Sequence, residues 1–181
     1  MLILVTGGSR SGKSGFALEL AERLEGPRVF LATAQAFDVE MERRIEAHRQ
    51  RRPPGWGLVE EPFLVPEALA AALGGARTVI VDCLTLWMSN LLLANEGFGE
   101  PEAAERAAAL ASRARGAPGA VIVVTNEVGS GIVPDNAVSR RFRDCAGRAN
   151  QVIARAAHDV YLMVSGIPLR VKPREGIQAN A

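Results

Sequence analysis

The sequence predicts an α/β fold built on a mostly parallel sheet. Apolar, strand-like runs alternate with helical stretches along the 181 residues. A glycine-rich loop directly follows the first apolar run, and a later apolar run ends in a carboxylate. Strand signals fall at 2–6, 29–32, 58–60, 78–82, 120–125, 159–164 and 169–171, giving a sheet of about seven strands. Helical signals fill the gaps at 13–24, about 38–51, 66–73, 84–94, 102–115 and 136–157. Gly97, Gly99 and Pro101 mark 95–101 as a surface loop. Residues 1–173 are expected to form one unit, and the small, polar stretch 174–181 a flexible tail.

The first strand, Leu2, Ile3, Leu4 and Val5, runs through Thr6 into Gly7, Gly8, Ser9, Arg10, Ser11, Gly12, Lys13 and Ser14. This is the G-x-x-x-x-G-K-S spacing of a Walker A loop. Glycines let the backbone curl so that its N–H groups point inward at phosphate oxygens. Lys13 is placed to reach the outer phosphates, Ser14 to put its hydroxyl on Mg²⁺, and the next helix to offer its N-terminus to the anion. A chance match somewhere in such a chain is on the order of one in a thousand, before the strand and helix on either side are considered. Of 21 basic residues only Lys13 and Lys172 are lysine. The choice suits a compact point charge on a flexible stem.

The later run, Val79, Ile80 and Val81, ends in Asp82. Behind a Walker A loop this reads as Walker B, with Asp82 holding Mg²⁺ directly or through water. The expected architecture is therefore the P-loop NTPase type, a RecA-like three-layer arrangement.

Composition excludes other classes. A net charge of +1 gives no electrostatic reason to expect nucleic acid. No apolar run reaches the ~18 residues of a membrane span. Cys83 and Cys145 lack metal-ligand spacing and read as reduced, structural thiols. With the phosphate loop starting at Gly7, a cleavable leader is not expected, and the cytoplasm is the expected location.

A third feature is the stretch Arg43, Arg44, Ile45, Glu46, Ala47, His48, Arg49, Gln50, Arg51 and Arg52, closed by Pro53 and Pro54. Helical spacing sets Arg44, His48 and Arg52 along one side. Arginines attract phosphate and favour a neutral imidazole, which is the form that attacks phosphorus. The plainer alternative is a solvated helix of Glu–Arg pairs. His158, at a helix end before a strand, reads as a partner of the helix dipole rather than a catalyst.

Taken in order, G-G-S-R-S-G-K-S at 7–14, R-I-x-x-H-x-x-x-R-P at 44–53, T-N-E-V-G-x-G-I-V-P at 125–134, F-R-D-x-x-G-R-x-N-Q at 142–151 and V-S-G-I at 164–167 resemble one family. It is the bifunctional cobinamide kinase / cobinamide-phosphate guanylyltransferase of cobalamin biosynthesis, and the likeness runs to about Lys172. The resemblance implies two reactions. ATP or GTP phosphorylates the aminopropanol hydroxyl of adenosylcobinamide; GTP then donates GMP to adenosylcobinamide phosphate, giving adenosylcobinamide-GDP and pyrophosphate. It further implies a covalent guanylyl-histidine on His48, with Ala47 standing where some relatives carry a second histidine. Nucleotide contacts are implied at Ala32, Thr33, Ala34, Arg49, Gln50, Arg51, Arg52, Glu60 and Asp82, and a homotrimer with sites near subunit contacts.

Asp82, Glu60 and Glu127 are all candidates for the base that accepts the substrate hydroxyl proton. Asn126, Glu127, Val128 and Gly129 follow a strand and read equally as part of a ligand site or as a turn with a helix cap. Trp87, Met88, Leu91 and Leu92 read as core, with a subunit contact as the alternative. Arg140, Arg141, Arg143, Arg148 and Arg155 read as solvated or interface charges. Two rival functions share the phosphate loop: another small-metabolite kinase, which has no need of His48, and a nucleotide-dependent switch, which has no need of a corrinoid.

Overall fold

The computed structural model describes residues 1–36, 39, 43, 46 and 54–173. Seven strands form one sheet: β1 (Leu2–Gly7), β2 (Arg28–Ala32), β3 (Gly57–Glu60), β4 (Thr78–Asp82), β5 (Ala120–Val124), β6 (Asp159–Val164) and β7 (Ile167–Lys172). Their spatial order is β3-β2-β4-β5-β1-β6-β7, with only β7 antiparallel to its neighbour. The described helices are α1 (Lys13–Glu22), α2 (Val65–Ala72), α3 (Leu84–Ala94), α4 (Glu100–Arg115) and α5 (Ala137–Ala156).

Central strands are apolar without alternation because both faces are covered. Leu2, Leu4, Val79, Val81, Val121 and Val123 face one core with residues of α2, α3, α4 and α5. Ile3, Val5, Ile80, Ile122 and Val124 face the other, where Ala17 and Ala21 of α1 pack. The small residues of α1 let it lie close against β1, β4 and β5. Trp87 and Met88 are fully buried and Leu92 nearly so, which makes α3 a core helix and removes these residues as a subunit contact.

Cations close the helices. Arg28 donates from Nε to the Ala21 carbonyl and from Nη2 to those of Glu22 and Leu24, satisfying the C-terminal end of α1. Lys172 does the same for α5 through the carbonyls of Ala154 and Arg155. Arg140 donates to the Pro134 and Asp135 carbonyls and Arg141 to that of Glu96, so these two arginines fasten loops. His158 also differs from expectation. Its Nδ1 accepts the Leu2 N–H at 2.9 Å, and its own N–H donates to the Leu2 carbonyl. It fixes the entry of β1 instead of answering a helix dipole.

Two boundaries moved. The helix expected to open at 102 opens at Glu100, because proline is tolerated in a first turn and the Glu102 carboxylate accepts the Gly99 N–H. Phe98 in the preceding loop is buried, not a surface residue. The last strand spans six residues instead of three. It includes Pro168, which an edge strand accepts because it need not donate outward. The helix expected over 38–51 and the tail at 174–181 fall outside the described residues, save 39, 43 and 46.

Candidate active site

The C-terminal edge of a parallel sheet is where strand ends and helix starts meet, and the phosphate loop lies there after β1. Gly7 has φ +146° and Gly12, which caps α1, has φ +96°. A Cβ on Gly7 would come within 2.6 Å of the Met163 carbonyl, and one on Gly12 within 3.2 Å of the Gly166 Cα. The loop is thus pressed against the β6–β7 hairpin. Ser165 and Gly166 both have positive φ and join Val164 to Ile167, the two-residue turn that suits the natural twist of a hairpin. The Gly166 N–H donates to the Ser11 carbonyl at 3.0 Å.

Inside the loop, Lys13 is only 7% exposed. Its Nζ donates to the Gly8 carbonyl at 2.6 Å and lies 3.5 Å from the Ser11 hydroxyl. Burial pushes the ammonium below the ordinary lysine value, against the opposing fields of Cys83 and Asp82. Ser14, in the first turn of α1, donates from Oγ to Oδ2 of Asp82 at 2.9 Å. The two residues expected to share a cation are therefore side by side. Among the described residues, no three His, Cys, Asp or Glu side chains gather as a metal cluster. A hydroxyl and a carboxylate suit Mg²⁺, which keeps waters and takes its remaining ligands from substrate phosphates.

Behind Asp82 the ends of β2 and β4 are tied. The Thr33 N–H donates to the Asp82 carbonyl, the Thr33 hydroxyl donates to the Cys83 carbonyl at 2.8 Å, and the Cys83 N–H donates back to that hydroxyl at 2.9 Å. Asn90 on α3 donates to the Thr33 and Pro62 carbonyls. Ala32 pairs with Asp82 on one side and Glu60 on the other. Ala32, Thr33, Glu60 and Asp82 thus lie in one row at the sheet edge, and Ala34 follows in sequence. Burial, and then the Asp82 carboxylate, push the Cys83 thiol up to about 11. Both cysteines are buried and free, in keeping with reduced, structural thiols.

A further polar cluster occupies the edge beside β5. Glu127 accepts from the Thr6 hydroxyl at 2.9 Å, and its N–H donates to the Gly7 carbonyl. Asn150 of α5 donates to the Asn126 carbonyl at 3.1 Å and to Glu127 at 3.4 Å, and accepts from the fully buried Thr125 hydroxyl at 2.6 Å. Asn126 donates to the Thr85 hydroxyl. Of the two readings open for 126–129, the helix cap is not made there: Asn136 caps α5, accepting the Ser139 N–H. Sequence reasoning missed Thr6, Thr85, Thr125 and Asn150 as parts of the site. The only signal for the last two was that they sit inside the quoted 125–134 and 142–151 motifs.

Of the remaining expected residues, Ser9 and Arg10 are exposed on the loop's outer turn. His48, Arg49, Gln50, Arg51 and Arg52 lie outside the described residues.

The sequence matches known proteins over nearly its whole length. The model of the cobinamide kinase / cobinamide phosphate guanyltransferase family matches residues 3–171. The bifunctional adenosylcobalamin biosynthesis protein CobU of Escherichia coli (strain K12) is 42% identical over 185 residues, covering 95% of this chain and 100% of that protein. CobU of Salmonella typhimurium is 42% identical over 183 residues, with the same coverage. The protein CobP of Pseudomonas aeruginosa is 43% identical over 172 residues, covering 93% of this chain and 96% of its own. Among solved structures, a prototypical ATPase from the type III secretion system of pathogenic bacteria aligns with a TM-score of 0.56 at 14% identity. That alignment covers 89% of this chain and 50% of the ATPase, and it bears on the fold alone. The chain belongs to the cobinamide kinase / cobinamide phosphate guanyltransferase family.

Proposed function

We propose that this chain performs both reactions of its family at one phosphate site: phosphorylation of adenosylcobinamide by ATP or GTP, then transfer of GMP from GTP to the phosphorylated product. One observation carries the reading. Ser14 and Asp82, 68 residues apart, meet at 2.9 Å beneath a loop that also buries Lys13. A hydroxyl, a carboxylate and an ammonium converging on curled backbone is the equipment of phosphoryl transfer, in which proteins chiefly position groups and neutralise charge.

In the kinase step Gly7, Gly8, Ser9, Arg10, Ser11 and Gly12 cradle the phosphates, and Lys13 neutralises the outer ones. Ser14 and Asp82 would hold Mg²⁺, which would supply charge neutralisation for the transferred group. For the base that accepts the corrinoid hydroxyl proton we favour Glu127. Asp82 would be occupied by the cation it shares with Ser14, whereas Glu127 is positioned beside the loop by Thr6 and Asn150. In the second step the His48 imidazole attacks the α-phosphorus of GTP, the bond to pyrophosphate breaks, and a phosphate oxygen of the corrinoid then displaces the histidine. Arg49, Gln50, Arg51, Arg52 and the row Ala32, Thr33, Ala34, Glu60 would contact that nucleotide. The likeness to the family, not the described geometry, supports the His48 assignment, a homotrimer and one catalytic unit over 1–173. No described helix is long and apolar enough to cross a membrane; together with reduced thiols this supports a cytoplasmic placement.

The test is incubation with Mg²⁺ and GTP labelled in turn at the α- and γ-phosphates. Acid-labile, base-stable protein label from the α position alone, missing in His48→Ala, is the expected result. No label with nucleotide binding intact would remove the histidine route and leave a P-loop kinase.

A further inference from the structure

Arg10 stands at the crest of the phosphate loop in a backbone conformation that its residue type resists. The Ser11 N–H donates to the Gly8 carbonyl at 3.3 Å, closing a turn over Gly8, Ser9, Arg10 and Ser11. Arg10 is the third residue of that turn and has φ +57°. Turns with positive φ at this position favour glycine, because a Cβ there crowds the next carbonyl oxygen. Among the described residues other than glycine, only Arg10 and Ser165 have positive φ, and Ser165 turns the β6–β7 hairpin.

We infer that Arg10 is a catalytic residue of the kinase step, its guanidinium contacting the γ-phosphoryl group as that group passes to the corrinoid hydroxyl. The inference rests on the phosphate-site reading above. Three observations converge. First, the loop uses glycine at its other two positive-φ positions, Gly7 and Gly12, and a long cationic side chain only here. A residue kept at a strained position marks a use other than backbone shape. Second, Arg10 is exposed and, among the described residues, has no hydrogen bond or ion pair. By contrast Arg28, Arg115, Arg140, Arg141 and Arg170 all bond to carbonyls or a carboxylate. Third, the Gly8 carbonyl that closes the turn also accepts the Lys13 Nζ at 2.6 Å. Lys13 thus braces the turn from the buried side, and Arg10 carries a second cation on the solvent side. The γ end of a triphosphate is the end that must stay open to an acceptor. In the transfer, the corrinoid oxygen bonds to the γ-phosphorus and the bond to the β–γ bridging oxygen breaks. That electron pair stays on the nucleoside diphosphate, and the hydroxyl proton passes to the base, Glu127. Charge spreads over the oxygens of the group in flight, and a guanidinium fork matches two of them at once.

The experiment measures cobinamide phosphorylation by MgATP, equilibrium MgATP binding and thermal unfolding for wild type, Arg10→Gly, Arg10→Lys and Lys13→Ala. Arg10→Gly is expected to lower kcat by about a hundredfold or more, as loss of a catalytic arginine does in phosphoryl transfer. Its MgATP affinity should stay within about threefold, because the contact strengthens in the transition state. Its melting temperature should equal or exceed that of wild type, since glycine relieves the strained φ. Arg10→Lys keeps a charge at the same place and should recover part of the lost turnover. Full turnover in Arg10→Gly would overturn the assignment. So would a loss of MgATP affinity as large as the loss of kcat, which would make Arg10 a ground-state contact only. A lower melting temperature in Arg10→Gly would make the side chain structural, and Arg10→Lys no better than Arg10→Gly would mean that charge is not what the site uses; either overturns it. If Lys13→Ala binds and turns over MgATP as wild type does, the phosphate-site reading falls and the role of Arg10 with it. If Lys13→Ala loses turnover and Arg10→Gly does not, only the role of Arg10 falls.

Discussion

The phosphate loop is held differently on its two flanks. Toward β4 and β5 it meets side chains: Asp82 on Ser14, Glu127 on Thr6, with Asn150, Thr125 and Asn126 behind them. Toward β6 and β7 it meets backbone: Gly7 on the Met163 carbonyl, Gly12 on Gly166, and one N–H on the Ser11 carbonyl. The first flank gathers the hydroxyl, carboxylate and amide groups on which the proposed proton and metal chemistry would draw. The second, through the contacts of Met163 and Gly166 with Gly7, Gly12 and Ser11, acts as a template for its curvature. Shape and reactivity are thus supplied from opposite sides, and each can be damaged alone.

The largest effect is expected on the template side. Gly7→Ala places a Cβ 2.6 Å from a carbonyl that cannot swing away, at a φ of +146°. A loss of about 3 kcal/mol in unfolding free energy should accompany loss of nucleotide binding. A variant as stable as wild type would show that the hairpin does not shape the loop. On the polar side, Asn150→Ala strands the Thr125 hydroxyl and the Asn126 carbonyl and should cost about 2 kcal/mol. Because Glu127 keeps its bond to Thr6, nucleotide affinity should change less than stability; a larger fall in affinity than in stability would merge the two flanks.

The smallest effect concerns pH. Folding raises the Cys83 thiol from 9.0 to about 11, so the protonated form is favoured in the fold. Its stabilising contribution is complete below pH 9 and is lost as pH rises toward 11. Wild type should therefore lose stability between pH 8 and 10.5 relative to Cys83→Ala, measured by urea unfolding at both values. The native thiol should also ignore disulfide reagents at pH 8 until the protein is unfolded.

The template side was partly legible in sequence. The Walker A spacing announced a tight, glycine-dependent curl, and the strand ends from β1 to β6 fell within a residue or two of their observed places. The brace was not, because nothing local says that Ser165 and Gly166 fold back onto residue 12. Pro168 also disguised the first half of β7 as a breaker. The polar side was legible at Asp82, Asn126 and Glu127 but not at Thr125 or Asn150. Asn150 is 25 residues from Thr125 and 23 from Glu127, and a lone asparagine inside a 20-residue helix carries no periodic signal. Helix periodicity reports which face is buried, not which polar atom is matched across the fold.

Thr33 has a mechanical consequence. One hydroxyl grips both polar groups of the residue after Asp82. The chain that leaves β2 is therefore fastened to the end of the strand that carries Asp82. The chain's two proposed chemistries share a fulcrum as well as a phosphate loop, and loosening it with Thr33→Val should decouple them while leaving the sheet intact.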